Sequence, residues 1–231
     1  MVRIFIFLLL GSCTSISGVL RKASQKRELN ILVIDSGVSY KYESINRHLT
    51  TFNNNLEDTN GHGTHVTSAI LQDSCPEVKI TPCKYFYPKN EEKTGIEYKK
   101  CLDKMVSGKY DIINISGGGY QFVDYEYQQL RKLLKSKTLV VAAAGNDGKY
   151  LPLNPFYPAS HKLHNIIAVG ALGPMGRPSY TSNWDLNMRW EPGEDILAHG
   201  LNGLEYKSGT SMAAAKFTNR LVRKFCKDLN N

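Results

Sequence analysis

The apolar positions of this chain fall into short continuous runs separated by polar, glycine-rich breaks. Ile31, Leu32, Val33 and Ile34 form the first run; residues 78–82, 112–115, 138–143 and 166–169 supply the others. Brief apolar runs without strict alternation suit strands buried on both faces, as in a parallel sheet. Stretches with helical spacing lie between or after them: residues 62–71, rich in small side chains; 96–106, with Ile96, Leu102, Met105 and Val106 on one side; 125–134; and 211–225, with Met212, Phe217, Leu221 and Phe225 available for burial. This alternation predicts an α/β fold of three layers, with a mostly parallel central sheet and helices on both faces. No internal repeat or low-complexity tract interrupts it.

In such sheets chemistry gathers at the carboxyl ends of the strands. The apolar runs end there on Asp35, Ser36 and Gly37, on Ser116 with Gly117, Gly118 and Gly119, and on Gly145, Asn146 and Asp147. Gly61 and His62 open one helical stretch, and Gly209 and Thr210 lead into the last one at Ser211. A serine hydroxyl is a poor nucleophile at neutral pH; it needs a base to take its proton and a third group to orient that base. Asp35, His62 and Ser211 can supply these parts. Ser211 at a helix N-terminus directs its own N–H at a developing oxyanion, and the Asn146 amide can donate from the other side.

The segments ILVIDSG, GHGTHV, VVAAAGNDG and GTSMAA resemble, in the same order, the four signature segments of the subtilisin-like serine peptidases. IINISGGG, YPAS and IIAVGAL add to a likeness that runs from residue 31 to 216. The resemblance implies a subtilisin-like fold and a serine endopeptidase that works through an acyl-enzyme. Asp35 would orient the imidazole, His62 would act as general base and then acid, Ser211 would be acylated, and Asn146 would complete the oxyanion hole. Ser116, Gly117 and Gly118 would bind substrate backbone as an added strand, with Gly145 beside them. Phe156 aligns with the floor of the primary side-chain pocket, where a phenyl ring would favour small residues before the scissile bond; a Phe turned into the core is the other reading. Asp147 at the pocket rim would add a preference for basic side chains. His65 reads as structural. No cofactor is expected and no metal site: H-E-x-x-H is absent, residues 71–78 are too short to wrap calcium, and Asp73 and Glu77 are isolated carboxylates. Ala215 stands where the family usually has Pro, a change a helix tolerates.

The 231 residues, 42% hydrophobic and 22% charged, suit one globular domain. The net charge of +8 is spread in pairs along the chain without a dense basic stripe, which argues for a solvated basic surface and against a nucleic-acid partner. At the start, MVRIFIFLLL is too short to span a bilayer and suits the apolar part of an export signal. Leu10, Gly11, Ser12 and Cys13 resemble a bacterial lipoprotein box, with Cys13 as lipid attachment site; ordinary cleavage near Ser15 is the alternative. The expected organisation is therefore an export signal over 1–12, a tether over 13–30 and a catalytic domain over 31–231, in a bacterial cell-envelope lipoprotein or a secreted protein. Export makes two disulfides among Cys75, Cys83, Cys101 and Cys226 as reasonable as four buried thiols, in any of three connectivities. The stretch before Asp35 cannot hold an inhibitory propeptide, and only 20 residues follow Ser211. A separate inhibitor or chaperone chain is thus an expected partner, beside the peptide or protein substrate and a membrane tether through Cys13. Two alternatives to an endopeptidase remain: a silent peptide-binding module of the same fold, and a serine esterase.

Overall fold

The computed structural model describes residues 27–229. The expected signal over 1–12, Cys13 and most of the tether lie outside the described residues. Strand β1 (Leu29–Asp35) begins two residues before the first apolar run. It is followed by the short helix α1 (Glu43–Asn46), α2 (His62–Ile70), β2 (Val78–Lys84), α3 (Glu91–Ser107), β3 (Ile112–Ile115), α4 (Asp124–Lys132), β4 (Leu139–Ala143) and β5 (Ile166–Leu172). Then come β6 (Arg189–Pro192), the hairpin of β7 (Ile196–Gly200) and β8 (Gly203–Lys207), and α5 (Thr210–Asp228). Six strands make one sheet in the order β2-β1-β3-β4-β5-β6, and every adjacent pair is parallel. Pro82 in β2 is tolerated because β2 is an edge.

Each buried strand divides its side chains between two cores. Ile31 and Val33 of β1 pack with Val66, Ala69 and Ile70 of α2 and with Met212, Ala213 and Phe217 of α5. Leu32 and Ile34, one residue out of phase, pack with Cys101, Leu102 and Met105 of α3 and Leu130 of α4. Burying an aliphatic side chain of this size contributes about 1.5–3 kcal/mol, so period-two alternation fixes which layer each strand residue holds together. The expected α/β architecture is the one observed. Helix α3 starts five residues before the predicted stretch, where the Asn90 side chain accepts from Lys93 N–H as an N-cap. Ile96, expected on its buried side, is exposed instead, and Cys101 takes that role.

Two disulfides join the four described cysteines. Cys75–Cys226 ties the end of α5 to the segment before β2, and Cys83–Cys101 ties β2 to α3. No helix among the described residues is long and apolar enough to cross a membrane.

Candidate active site

Asp35 ends β1 and His62 opens α2, and the fold brings the two together. His62 Nδ1 lies 2.7 Å from Asp35 Oδ1, which also accepts the Ser36 N–H at 2.7 Å. That contact places the ring proton on Nδ1 and leaves the Nε2 lone pair free. Asp35 is buried and, among the described residues, its Oδ2 has no hydrogen-bond partner, so the imidazole and the Ser36 N–H are the groups that meet its carboxylate. Burial pulls the His62 pKa down, but the charge and hydrogen bond of Asp35 outweigh it, and the pKa lies above 6.5.

The sequence reading missed the residue that positions this pair. Asp58, buried ahead of α2, accepts the N–H groups of Asn60 and Gly61 and the Ser36 hydroxyl on Oδ1. Its Oδ2 accepts the N–H and hydroxyl of Thr64 at 2.9 and 2.6 Å. One carboxylate thus satisfies N–H groups that the first turn of α2 cannot bond internally. Ser36 extends the network, taking the Gly63 N–H on its Oγ. A Cβ on Gly63 would fall 2.2 Å from the Gly37 carbonyl, so glycine lets α2 approach the end of β1. The available signal was an Asp within one turn of the first helical residue.

Ser211 lies in the first turn of α5, which starts after Gly209, a residue with φ of 133°. Its hydroxyl donates to the Ser116 carbonyl at 2.8 Å, and Ser116 Oγ donates to the Ser211 carbonyl at 3.0 Å. Among the described residues no hydrogen bond joins Ser211 to His62; the hydroxyl points to the end of β3, and rotation about Cα–Cβ is what would redirect it. Asn146 follows β4 and Gly145. Its Oδ1 accepts the Thr210 N–H at 2.8 Å, and the residue is exposed; among the described residues its Nδ2 makes no hydrogen bond and is left as a donor. Thr210 Oγ1 in turn accepts the Gly145 N–H at 3.0 Å, binding the end of β4 to the start of α5. Buried Asn183, also missed in the sequence, holds the same loop: Oδ1 accepts from Asp147 and Lys149 N–H, and Nδ2 donates to the Ala144 carbonyl.

Ser116, Gly117 and Gly118 run on from β3 beside this site. The next residue, Gly119, exchanges two backbone hydrogen bonds with Tyr157, of 2.9 and 2.7 Å. Phe156 is half-buried: it packs against the small core cluster of Ala144, Leu151 and Met188, and its ring also meets Gly118 and Gly145. Phe156 thus lies between that cluster and the two glycine segments. Asp147 is exposed and accepts the Tyr120 hydroxyl. His65 is buried, with Nε2 on the Glu205 carbonyl. Among the described residues no group of three or more His, Cys, Asp or Glu is placed to hold a metal ion.

The sequence matches the subtilase family over residues 26–223. It is 33% identical over 214 residues to the cell wall-associated protease of Bacillus subtilis (strain 168), covering 81% of this chain and 23% of that one. Against subtilisin of Bacillus pumilus it is 31% identical over 201 residues, covering 80% and 72%. The chain spans only 30% of another relative, the minor extracellular protease Epr of Bacillus subtilis (strain 168). Among solved structures, the self-cleaved protease domain of PatA has a TM-score of 0.71 at 25% identity, with 89% of this chain and 83% of that one covered. A cold adapted subtilisin-like serine proteinase has a TM-score of 0.71 at 21% identity, covering 88% and 77%. The family match takes in the whole parallel sheet and all the residues gathered at its carboxyl end: the chain belongs to the subtilase family.

Proposed function

We propose that this protein is a serine endopeptidase that hydrolyses peptide bonds through an acyl-enzyme intermediate. The observation that carries the proposal is the joint placement of the Asp35–His62 pair, Ser211 at the first turn of α5, and exposed Asn146, whose amide is left as a donor. His62 Nε2 takes the proton as Ser211 Oγ attacks the scissile carbonyl and then gives it to the leaving amine. Asp35 holds the ring in that tautomer and stabilises the imidazolium. The oxyanion receives hydrogen bonds from Asn146 Nδ2 and the Ser211 N–H, which has no acceptor within its helix. Gly117 and Gly118 offer backbone groups to an extended peptide, a feature a simple esterase would not require. Phe156 and Gly145 line the space beside the acyl residue.

A silent binding module is favoured by one observation, the hydrogen bond of Ser211 Oγ to Ser116 rather than to His62. Incubation with a peptide mixture and mass-spectrometric readout decides between the readings. The wild type should produce new termini, Ser211→Ala should not, and Asn146→Ala should lose about 10²–10³ in turnover, the size reported for such a donor in subtilisin. Absence of any cleavage by the wild type would favour the binding module.

The cell-wall and extracellular relatives favour a place outside the cytoplasm or on the cell envelope; Cys13 as lipid attachment site is proposed from the Leu10, Gly11, Ser12 and Cys13 segment alone. Cys13→Ala should then abolish fatty-acid incorporation and alter precursor size; unchanged behaviour would exclude the anchor.

A further inference from the structure

The space beside the acyl residue is bounded by two backbone segments, residues 116–118 after β3 and residues 144–147 after β4. A peptide whose carbonyl oxygen lies at Asn146 Nδ2 and whose backbone pairs with Gly117 and Gly118 sends the side chain of its acyl residue between these segments. In this protein a ring already stands there. A Cβ built on Gly118 would fall 2.6 Å from Phe156 Cε1, and one on Gly145 would fall 3.0 Å from Phe156 Cγ. The phenyl ring thus meets both walls of the slot. Tyr120, the second residue past Gly118, crosses above it. Its ring meets Phe156 edge-on, with centroids 5.3 Å apart and planes at 77°. Its hydroxyl donates to Asp147 Oδ2 at 2.5 Å and accepts from Asn183 Nδ2 at 3.3 Å, both on the opposite side of the slot. The Lys149 ammonium lies 4.2 Å from the centroid of the same ring. Tyr120 is therefore held from three sides, although it is 41% exposed. A neighbouring cavity of about 270 Å³ is lined by Tyr85, Tyr98, Gly117, Gly118 and Tyr120 among others, and not by Gly145 or Phe156.

We propose that Tyr120, latched to Asp147, and Phe156 together close this slot, and that the protein cleaves peptides after glycine, with alanine the largest residue accepted. This rests on the endopeptidase reading and names its substrate class. A larger acyl side chain must displace a ring that touches backbone on two sides, or break the Tyr120–Asp147 bond. Either change costs packing or a hydrogen bond that glycine and alanine leave intact. The Asp147 carboxylate, engaged by Tyr120, then serves as a latch rather than as a selector of basic side chains.

The test compares otherwise identical peptides with Gly, Ala, Leu or Phe before the scissile bond, for the wild type and for Tyr120→Ala, Phe156→Gly and the double variant. The wild type should prefer Gly over Leu and Phe by about 10²-fold or more in kcat/KM. Each variant should narrow that ratio, and the double variant should narrow it most. Cleavage after Leu or Phe as fast as after Gly, or a ratio that no variant changes, would overturn the inference while leaving the endopeptidase reading intact. If nothing is cleaved, binding to Ser211→Ala of peptides ending in a Gly or a Phe carboxylate still decides. Tighter binding of the glycine-ended peptide, lost in Phe156→Gly, keeps the closed slot while the endopeptidase reading falls. Equal binding of the two overturns the slot as well.

Discussion

His62 is under two opposed influences, and their balance has measurable consequences. Burial disfavours the imidazolium, whereas the charge and hydrogen bond of Asp35 favour it more strongly, so the pKa lies above 6.5. The base must be neutral to act, so kcat/KM should rise with pH through an apparent pKa above 6.5; an acid limb at or below that value contradicts the coupling. Folding responds in the opposite sense. The raised pKa stabilises the fold fully below pH 6.5, and this contribution fades as pH rises through the folded value, so the active protonation state is the less stabilised one. Asp35→Asn removes the main opposition to burial and leaves only the weaker pull of the Asp58 charge: the imidazole should titrate lower than in the wild type by NMR, and turnover should fall about 10⁴-fold, the typical cost of the wrong tautomer. Asp58 acts at one remove, through the start of α2. Asp58→Ala strands the N–H groups of Gly61 and Thr64 and the Ser36 hydroxyl, and should destabilise the fold by about 2–4 kcal/mol in urea unfolding. It should also reduce turnover through displacement of His62, and Asp58→Asn should restore part of both. Asp58→Ala with wild-type stability would remove this role.

At the scale of elements, the buried strands were the legible part. Runs such as residues 31–34 and 112–115 have no other use in a chain of this size than a sheet covered on both faces, and the structure places them there. The stretch from 173 to 208 was not legible. Strand β6 is four residues, RWEP, with a proline and no apolar alternation, and it forms because β5 offers a parallel edge. The β7–β8 hairpin gains its place from contacts outside itself: His199 N–H donates to Ser68 of α2, and the Tyr42 ring stacks on His199. Neither partner is near in sequence. The disulfides were undetermined for a similar reason, since four cysteines allow three pairings and only the folded geometry selects one. Cys75–Cys226 has a sequence separation of 151 and anchors the end of α5, opposite the end that carries Ser211. Replacing both cysteines by serine should therefore cost about 2–5 kcal/mol in unfolding free energy while leaving the arrangement at Ser211 in place. Activity lost at temperatures where the variant remains folded would show that the bond shapes the site itself.

For the whole molecule, the site is assembled from the ends of β1, α2, β3, β4 and α5, which meet only because the sheet order sets β1, β3 and β4 side by side with α2 and α5 on one face. The candidate reacting groups could be read in the sequence because each lies within two residues of a glycine, at the end of an apolar run for Asp35 and Asn146 and at the start of a helical stretch for His62 and Ser211. Their supports were harder to read: Asp58 offered only its place one turn ahead of α2, and Asn183 and Tyr120 act through neighbours that are remote in sequence and carry no spacing signature of their own. The same assembly leaves Ser211 Oγ on the Ser116 carbonyl, so the account requires that the hydroxyl turn toward His62 when a carbonyl approaches. Reaction with a fluorophosphonate, read by intact mass and peptide mapping, tests this most directly. One phosphonyl group per chain is expected, on Ser211, formed faster as pH rises through the His62 pKa and abolished in Ser211→Ala and His62→Ala. A wild-type protein that stays unlabelled, or labelling that persists in Ser211→Ala, would contradict it.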